Sequence, residues 1–417
     1  MIALVCILLP LLAAAGLSFV PASAWASFGC ALLVLVLVCS LPWTADSFGG
    51  WLLPDPLAVQ IASLTAFAWV MASAQSLTLS ALFGRSAGTP GRADHAGLLA
   101  ALVGLMNLAS FSNGAGLAAI AAGAAGLVAV LAQRQETPAP MLAVAATGMG
   151  LALFGTVVLY AGAVPALGRG WPALSWSVLP TAGGKSNIMA IDAGFVLLLL
   201  GTGISCCLVP VSAAIRGAAL PAGLAMLLGP LGGIWLATAL RLRGVLGGNV
   251  RAMAPGPVLL GLGLAGLVLA LICLGRRPAI LSPLLIALLA AVLVAFGAGA
   301  PAATGSGLLH LTLGCLALTA AANGSRLGLA SLAGLPPLGI FGSGLTLLTA
   351  AALRAGWVAG LLGLGLFGVA ALALRGLPAE PAGNRLAWVG IGLALIGAWA
   401  MPSALTNLIE TIAVTMQ

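Results

Sequence analysis

The residues of this chain that could do chemistry are few and stand apart from one another. In 417 residues there are 7 Asp and Glu, 15 Lys and Arg, and 2 His. Asp46, Asp55, Asp94, Glu136, Asp192, Glu380 and Glu410 all fall at the ends of apolar runs, between them, or in the C-terminal tail, and the bases read the same way. Only His310 lies well within an apolar run. Groups that titrate inside a membrane helix are the usual mark of a proton relay, and His is the side chain suited to physiological pH. The seven Cys, at 6, 30, 39, 206, 207, 273 and 315, also sit inside apolar runs without a metal-site or cluster spacing, so they read as small buried hydrophobes. Gly183–Asn187, GGKSN, lacks the glycine spacing and strand context of a phosphate loop. No cofactor or metal site is expected in this chain.

The elements that would hold these residues are set by composition. The chain is 62% hydrophobic and 5% charged, with a mean hydropathy of +1.22. A soluble domain needs a polar exterior, whereas apolar runs of ~18 residues or more fit membrane-spanning helices. The fold class expected is an all-α polytopic membrane protein, a single membrane domain throughout. Its 58 Gly and 24 Pro then serve close helix packing and local breaks. The net charge of +8 is spread through connecting loops without aromatic interleaving, which excludes a nucleic-acid footprint and suits topology anchoring and anionic lipid contact.

In order, spans are expected at Ile2–Val20, Ala26–Leu41, Pro56–Phe83, Gly97–Phe111, Gly116–Leu131, Pro140–Val164, Ile191–Val211 and Pro221–Leu242. They continue as Pro257–Leu274, Ala279–Phe296, Gly307–Ala322, Leu327–Leu353, Trp357–Leu374 and Leu386–Met401, about fourteen in all. The first lacks a positive n-region and is followed at once by another, so it reads as an uncleaved span. The loop 165–187, with Trp171 and Trp176, suits an aromatic interfacial belt. Odd-numbered loops carry more Arg than even ones, which favours odd loops in the cytoplasm and an N-terminus outside.

Four segments resemble the antiporter-like membrane subunits of complex I, Mrp antiporters and, most closely, group 4 membrane-bound hydrogenases of the hydrogenase-4 component F type. They are GGWLLPDPLAVQIASL around Asp55, TGMGLALFGTVVLY at Thr147–Tyr160, GFVLLLLGTGISCCLVP at Gly194–Pro210, and LASLAGLPPLGIFGSGLTLL at Leu329–Leu348. The resemblance covers most of the chain between Gly49 and Leu374. It implies two inverted five-helix repeats, about 116–243 and 257–374, each with one broken helix, plus flanking spans. Pro210 and the pair Pro336 and Pro337 lie within apolar runs, where a helix must open.

The resemblance also implies a central row of Glu, Lys and His for proton movement. Followed by interval, the fifth-helix Glu falls on Ala121, the seventh-helix Lys on Ser205 and the His after its proline on Ser212. The eighth-helix Lys falls at about Gly233. In the eleventh helix His310 is retained, and the Glu after the twelfth-helix break falls on Gly344. Every expected carboxylate and ammonium is missing. A charge at mid-membrane costs at least ~2.5 kcal/mol, so loss of the function removes the reason to keep it.

The remaining polar residues have plain structural readings. Ser205, Ser212, Thr312 and Thr319 would bond back to their own helix or aid packing. Asp55 and Asp192 would cap helix N-termini, Asn107, Asn113 and Asn323 would be end caps or interfacial residues, and His310 would be neutral and bonded to a carbonyl.

The function expected is a structural, antiporter-like subunit of a multi-subunit proton-translocating oxidoreductase of the complex I or group 4 hydrogenase kind. It would not be catalytic alone, its own proton channel would be lost, and redox chemistry would belong to partners. Those partners would be other antiporter-like membrane subunits, a quinone-site subunit, a peripheral redox arm and lipids, with no nucleic acid, in a bacterial cytoplasmic (inner) membrane. Two alternatives stand beside it: an active proton- or ion-translocating subunit using His310, Ser, Thr and water, and the membrane partner of an inorganic-carbon uptake complex.

Overall fold

A computed structural model describes residues 1–17, 23–41, 50–83, 92–133, 138–247, 253–276, 279–336 and 338–377. The described residues are helical, with two isolated β-bridges and no strands. The helices are α1 (Ile2–Leu17), α2 (Ser23–Ser40), α3 (Pro56–Phe83), α4 (Arg92–Phe111), α5 (Ala115–Ala132), α6 (Ala139–Leu167) and α7 (Ile188–Arg216). There follow α8 (Ala222–Gly247), α9 (Pro255–Arg276), α10 (Leu281–Ala298), α11 (Pro301–Ala322), α12 (Arg326–Leu332), α13 (Gly339–Arg354) and α14 (Gly356–Gly376). Nine of these are long and apolar enough to cross a membrane. The first thirteen expected spans each coincide with a helix, the twelfth with the pair α12 and α13. The expected span Leu386–Met401, the tail and Pro337 lie outside the described residues.

The chain forms two compact units, one of Met1–Val209 with Pro230–Ala254, the other of Pro210–Gly229 with Pro255–Gln417. In the first, α1 packs on α2 and α4, α3 on α2 and α4, and α5 on α4 and α6. The α6–α7 contact is a seam of glycines at seven-residue spacing: Gly148, Gly155 and Gly162 on α6, Gly194 and Gly201 on α7. A methyl group at Gly155 would lie 2.5 Å from the Leu198 backbone nitrogen, and one at Gly194 2.7 Å from that of Leu159. Lipid is as apolar as a leucine side chain, so helices associate in it through close van der Waals contact, which missing side chains permit. In the second unit, Gly256 and Gly263 on α9 approach Gly297 and Ala290 on α10 in the same manner.

Proline shapes α1 in a way the sequence conceals. Pro10 lies inside α1 and has no N–H, so the Cys6 carbonyl loses its helical partner. Asn107 Nδ2 on α4 donates to that carbonyl at 2.9 Å, and Asn107 is fully buried. Asn107 is therefore not an end cap, as its position four residues before the end of α4 suggested. It replaces a missing backbone donor, the kind of rescue that makes proline tolerable in apolar helices.

Pro210 departs from expectation too. α7 is continuous from Ile188 to Arg216 with Pro210 inside it, so no break occurs there. Proline removes one backbone donor and crowds the carbonyl four residues earlier, which local adjustment within a membrane helix can absorb. The second expected break is present: α12 ends at Leu332 and α13 begins at Gly339. Leu335 N donates to Ala330 O at 3.1 Å and Gly334 N to Ser331 O at 3.0 Å, with Gly334 at φ +74°. This is a Schellman C-cap, which a left-handed glycine completes and Pro336 then seals against continuation.

Candidate functional site

In the first unit, the positions matched to charged relay residues are occupied by packing. Ser205 is 1% exposed, and its Oγ donates to Gly201 O at 3.1 Å within α7 and to Ala145 O on α6 at 3.4 Å. A methyl group on Gly148 would fall 2.8 Å from Ser205 Oγ, and one on Gly126 of α5 would collide with the Ser205 carbonyl. Three helices thus meet closely at Ser205 through glycine faces. Ala121 on α5 is fully buried, and Gly233 is buried in α8. Beside Gly233, Trp235 lays its indole over Gly203 of α7 and donates from Nε1 to Leu199 O at 2.9 Å.

Charge does enter this unit, at a place the sequence reading missed. Arg241 lies within α8, not in a loop, and is 7% exposed. Its Nη2 is 3.0 Å from Asp55 Oδ2 and also donates to Ser110 O at 3.0 Å. Asp55 keeps its expected duty as well: Oδ1 accepts from Ala58 N at 2.6 Å at the start of α3. One carboxylate therefore caps α3 and neutralises an arginine 186 positions further along the chain. No short-range signal marked the pair; the only hint was the Arg241 cation close to the end of an apolar run.

Asp192 requires a correction. α7 starts at Ile188, and Asn187 Oδ1 accepts from Ala190 N at 3.4 Å, so Asn187 and not Asp192 stands at the cap. Asp192 Oδ1 instead accepts from Met253 N at 3.0 Å. Asn113 is more than a cap, because it binds three chain segments together. Its Nδ2 donates to Gly50 O at 2.7 Å and Ser177 Oγ at 3.2 Å, and its backbone carbonyl accepts from Trp176 N at 2.7 Å. Trp176 is 6% exposed, so it belongs to this packed junction and not to an interfacial belt. Trp171 stacks on Trp51 with ring centroids 4.4 Å apart.

In the second unit, Ser212 lies in the last turn of α7, where Arg216 donates from Nε to Ser212 O at 3.2 Å and from Nη2 to its Oγ at 3.4 Å. Thr312 and Thr319 bond back to Leu308 O at 2.9 Å and Leu316 O at 2.7 Å. Asn323 is the C-cap of α11.

His310 is different. It lies midway along α11, 3% exposed, with Nδ1 2.9 Å from Ser343 Oγ on α13. Ser343 Oγ in turn donates to Ile340 O at 3.0 Å. With the serine proton committed to Ile340, its oxygen accepts from Nδ1–H and fixes the imidazole tautomer. The partner is thus a hydroxyl held by the broken span, not the carbonyl expected. His310 and Gly344 both line a cavity of about 430 Å³, walled by α10, the α12–α13 connection including Pro336, α13 and α14. His310 is the only polar side chain among the described lining residues. Of the positions matched to the family row, the structure brings these two together. Among the described residues no three His, Cys, Asp or Glu side chains are grouped as a metal ion would require.

The arrangement can hold and release a proton at one imidazole, but a relay needs a succession of such groups. No family model matches the sequence. In structure, the chain is similar over 99% of its length to a chain of the membrane-bound sulfane sulfur reductase, an archaeal respiratory membrane complex, covering 97% of it at TM-score 0.80 and 15% identity. It is similar over its full length to a chain of respiratory complex I from Thermus thermophilus, covering 100% of it at TM-score 0.73 and 17% identity. A chain of the Mrp complex from Dietzia sp. DQ12-45-1b gives TM-score 0.68 at 14% identity, covering 100% of this chain and 97% of that one. The fold is that of the antiporter-like membrane subunits. In sequence the chain is 28% identical over 254 residues, 52% of its length, to the hydrogenase-4 component F homolog of Methylacidiphilum infernorum (isolate V4). It spans about half of that relative, 53% of its length.

Proposed function

We propose that this chain is an antiporter-like subunit of a complex I-like or group 4 hydrogenase-like membrane assembly, in which it serves as a packed scaffold without a proton channel of its own. The observation that carries this is Ser205. At the point where the resemblance calls for a lysine, three helices close through Gly126 and Gly148 on a serine that bonds back to its own helix. Redox chemistry then falls to other subunits, and the chain is not catalytic alone. Segments 116–243 and 257–374 act as the inverted repeats. The membrane is a bacterial cytoplasmic one, with the N-terminus outside, and the other antiporter-like subunits, a quinone-site subunit and a peripheral redox arm are the partners. Purification of the intact assembly from its native membrane, followed by identification of its subunits, tests this. Antiporter-like paralogues and a redox arm are expected; a chain recovered alone, or with a soluble zinc protein only, contradicts it.

The second reading, an active translocating subunit, is favoured by one observation: His310, tied to Ser343 on the broken span, faces the cavity. Its loss would then abolish transport.

A further inference from the structure

α9 and α14 pack against each other, and each carries an arginine in its last turn. On α9, Val268, Ile272 and Arg276 are exposed at i, i+4 and i+8; on α14, Phe367, Ala371 and Arg375 repeat that spacing, also exposed. Residues so spaced share a helix face, so each helix carries an apolar stripe that terminates in a guanidinium. Between the two ends lies a cleft of about 430 Å³ lined by Cys273, Gly275, Ile280, Leu372, Arg375 and Gly376. Arg276 directly follows Gly275 in its wall. Glycine keeps the cleft open: a methyl group at Gly376 would lie 2.6 Å from Ile280 Cδ1, while Gly275 borders free space. No acidic side chain lines it among the described residues.

Arginines at span ends ordinarily only snorkel to the interface. Here Arg375 lines one concave site and Arg276 adjoins its wall, with two hydrocarbon-compatible stripes running away from it, the shape of a molecule charged at one end and apolar along the rest. We infer that this cleft binds the phosphodiester headgroup of an anionic phospholipid, with the acyl chains along Val268–Ile272 and Phe367–Ala371. Basic pockets between membrane helices are suited to such headgroups, and guanidinium offers phosphate a bidentate fork.

Native mass spectrometry of the full-length protein, titrated with phosphatidylglycerol, phosphatidylcholine or inorganic phosphate, tests the inference. Phosphatidylglycerol is expected to bind, and Arg276→Ala or Arg375→Ala to weaken it about fivefold each, the weight of one cation near an anionic surface. Arg375→Lys should retain most of the binding. Both arginines are exposed, so thermal stability should not change; Arg276→Gln with Arg375→Gln provides the same readout should the alanine pair fail to fold. Undiminished phosphatidylglycerol binding in the double variant, equal binding of phosphatidylcholine, or displacement of the lipid by millimolar inorganic phosphate would each overturn it.

Discussion

The Asp55 carboxylate and the Arg241 guanidinium meet at 3.0 Å, joining the N-terminal cap of α3 to the interior of α8. Both side chains are nearly buried, at 12% and 6% exposure. Asp55 accepts from Ala58 N and Arg241 donates to Ser110 O, so each charge has further hydrogen bonds besides its partner. Such a pair fixes how two helices meet; it offers no mobile proton, because arginine does not deprotonate in proteins.

Removing one member strands the other. Arg241→Met or Asp55→Asn is expected to destabilise the protein by ~3–5 kcal/mol, the cost of a buried unpaired charge or donor. The double variant, in which Asn still caps α3, should recover much of that loss. Tryptophan-fluorescence melts in detergent would check this; single and double losses that simply add would contradict the coupling.

Asn107 and Pro10 form a second coupled pair. Asn107→Leu leaves the Cys6 carbonyl buried without its side-chain donor, for a loss of ~1–3 kcal/mol. In a Pro10→Ala background the helix supplies its own N–H to Cys6, and Asn107→Leu should then cost much less. A double-mutant cycle on melting temperature measures the difference.

The α6–α7 seam predicts a contrast within one helix. Gly155→Leu places a side chain against the Leu198 backbone and should abolish the folded yield, whereas Gly150→Leu, whose Cα borders open space, should leave it unchanged. Size-exclusion profiles of the two variants decide the matter.

These features differ in how far the sequence reveals them. Apolar length marked the helices, because a bilayer demands that each run satisfy its own backbone, and LAGLPPLG marked the break through a left-handed glycine followed by proline. The Asp55–Arg241 pair and the Asn107–Cys6 bond were not legible. Each links residues far apart in the chain, and the run around each residue looks like any other span end. Pro210 misled for the opposite reason, since a proline alone does not say whether its helix opens or adjusts. The His310–Ser343 contact needed the register of α11 against α13, which no local pattern encodes. Empty relay positions were legible as residue types, but the close helix contact that fills the Ser205 position was not.

Ser205→Lys restores the residue type that the resemblance calls for. It should neither be accommodated nor confer transport, because Gly126 and Gly148 pack directly on this site. Loss of folded protein on expression is the expected readout, and a stable variant would show that space exists.

The most direct measurement is proton translocation by the intact assembly, reconstituted into vesicles, with His310 replaced by Ala. A scaffold role predicts translocation per turnover unchanged within error, with at most a small loss of stability from the vacated Ser343 hydroxyl. A sharp drop in translocation while assembly and electron transfer remain intact would contradict it and make His310 part of a working path.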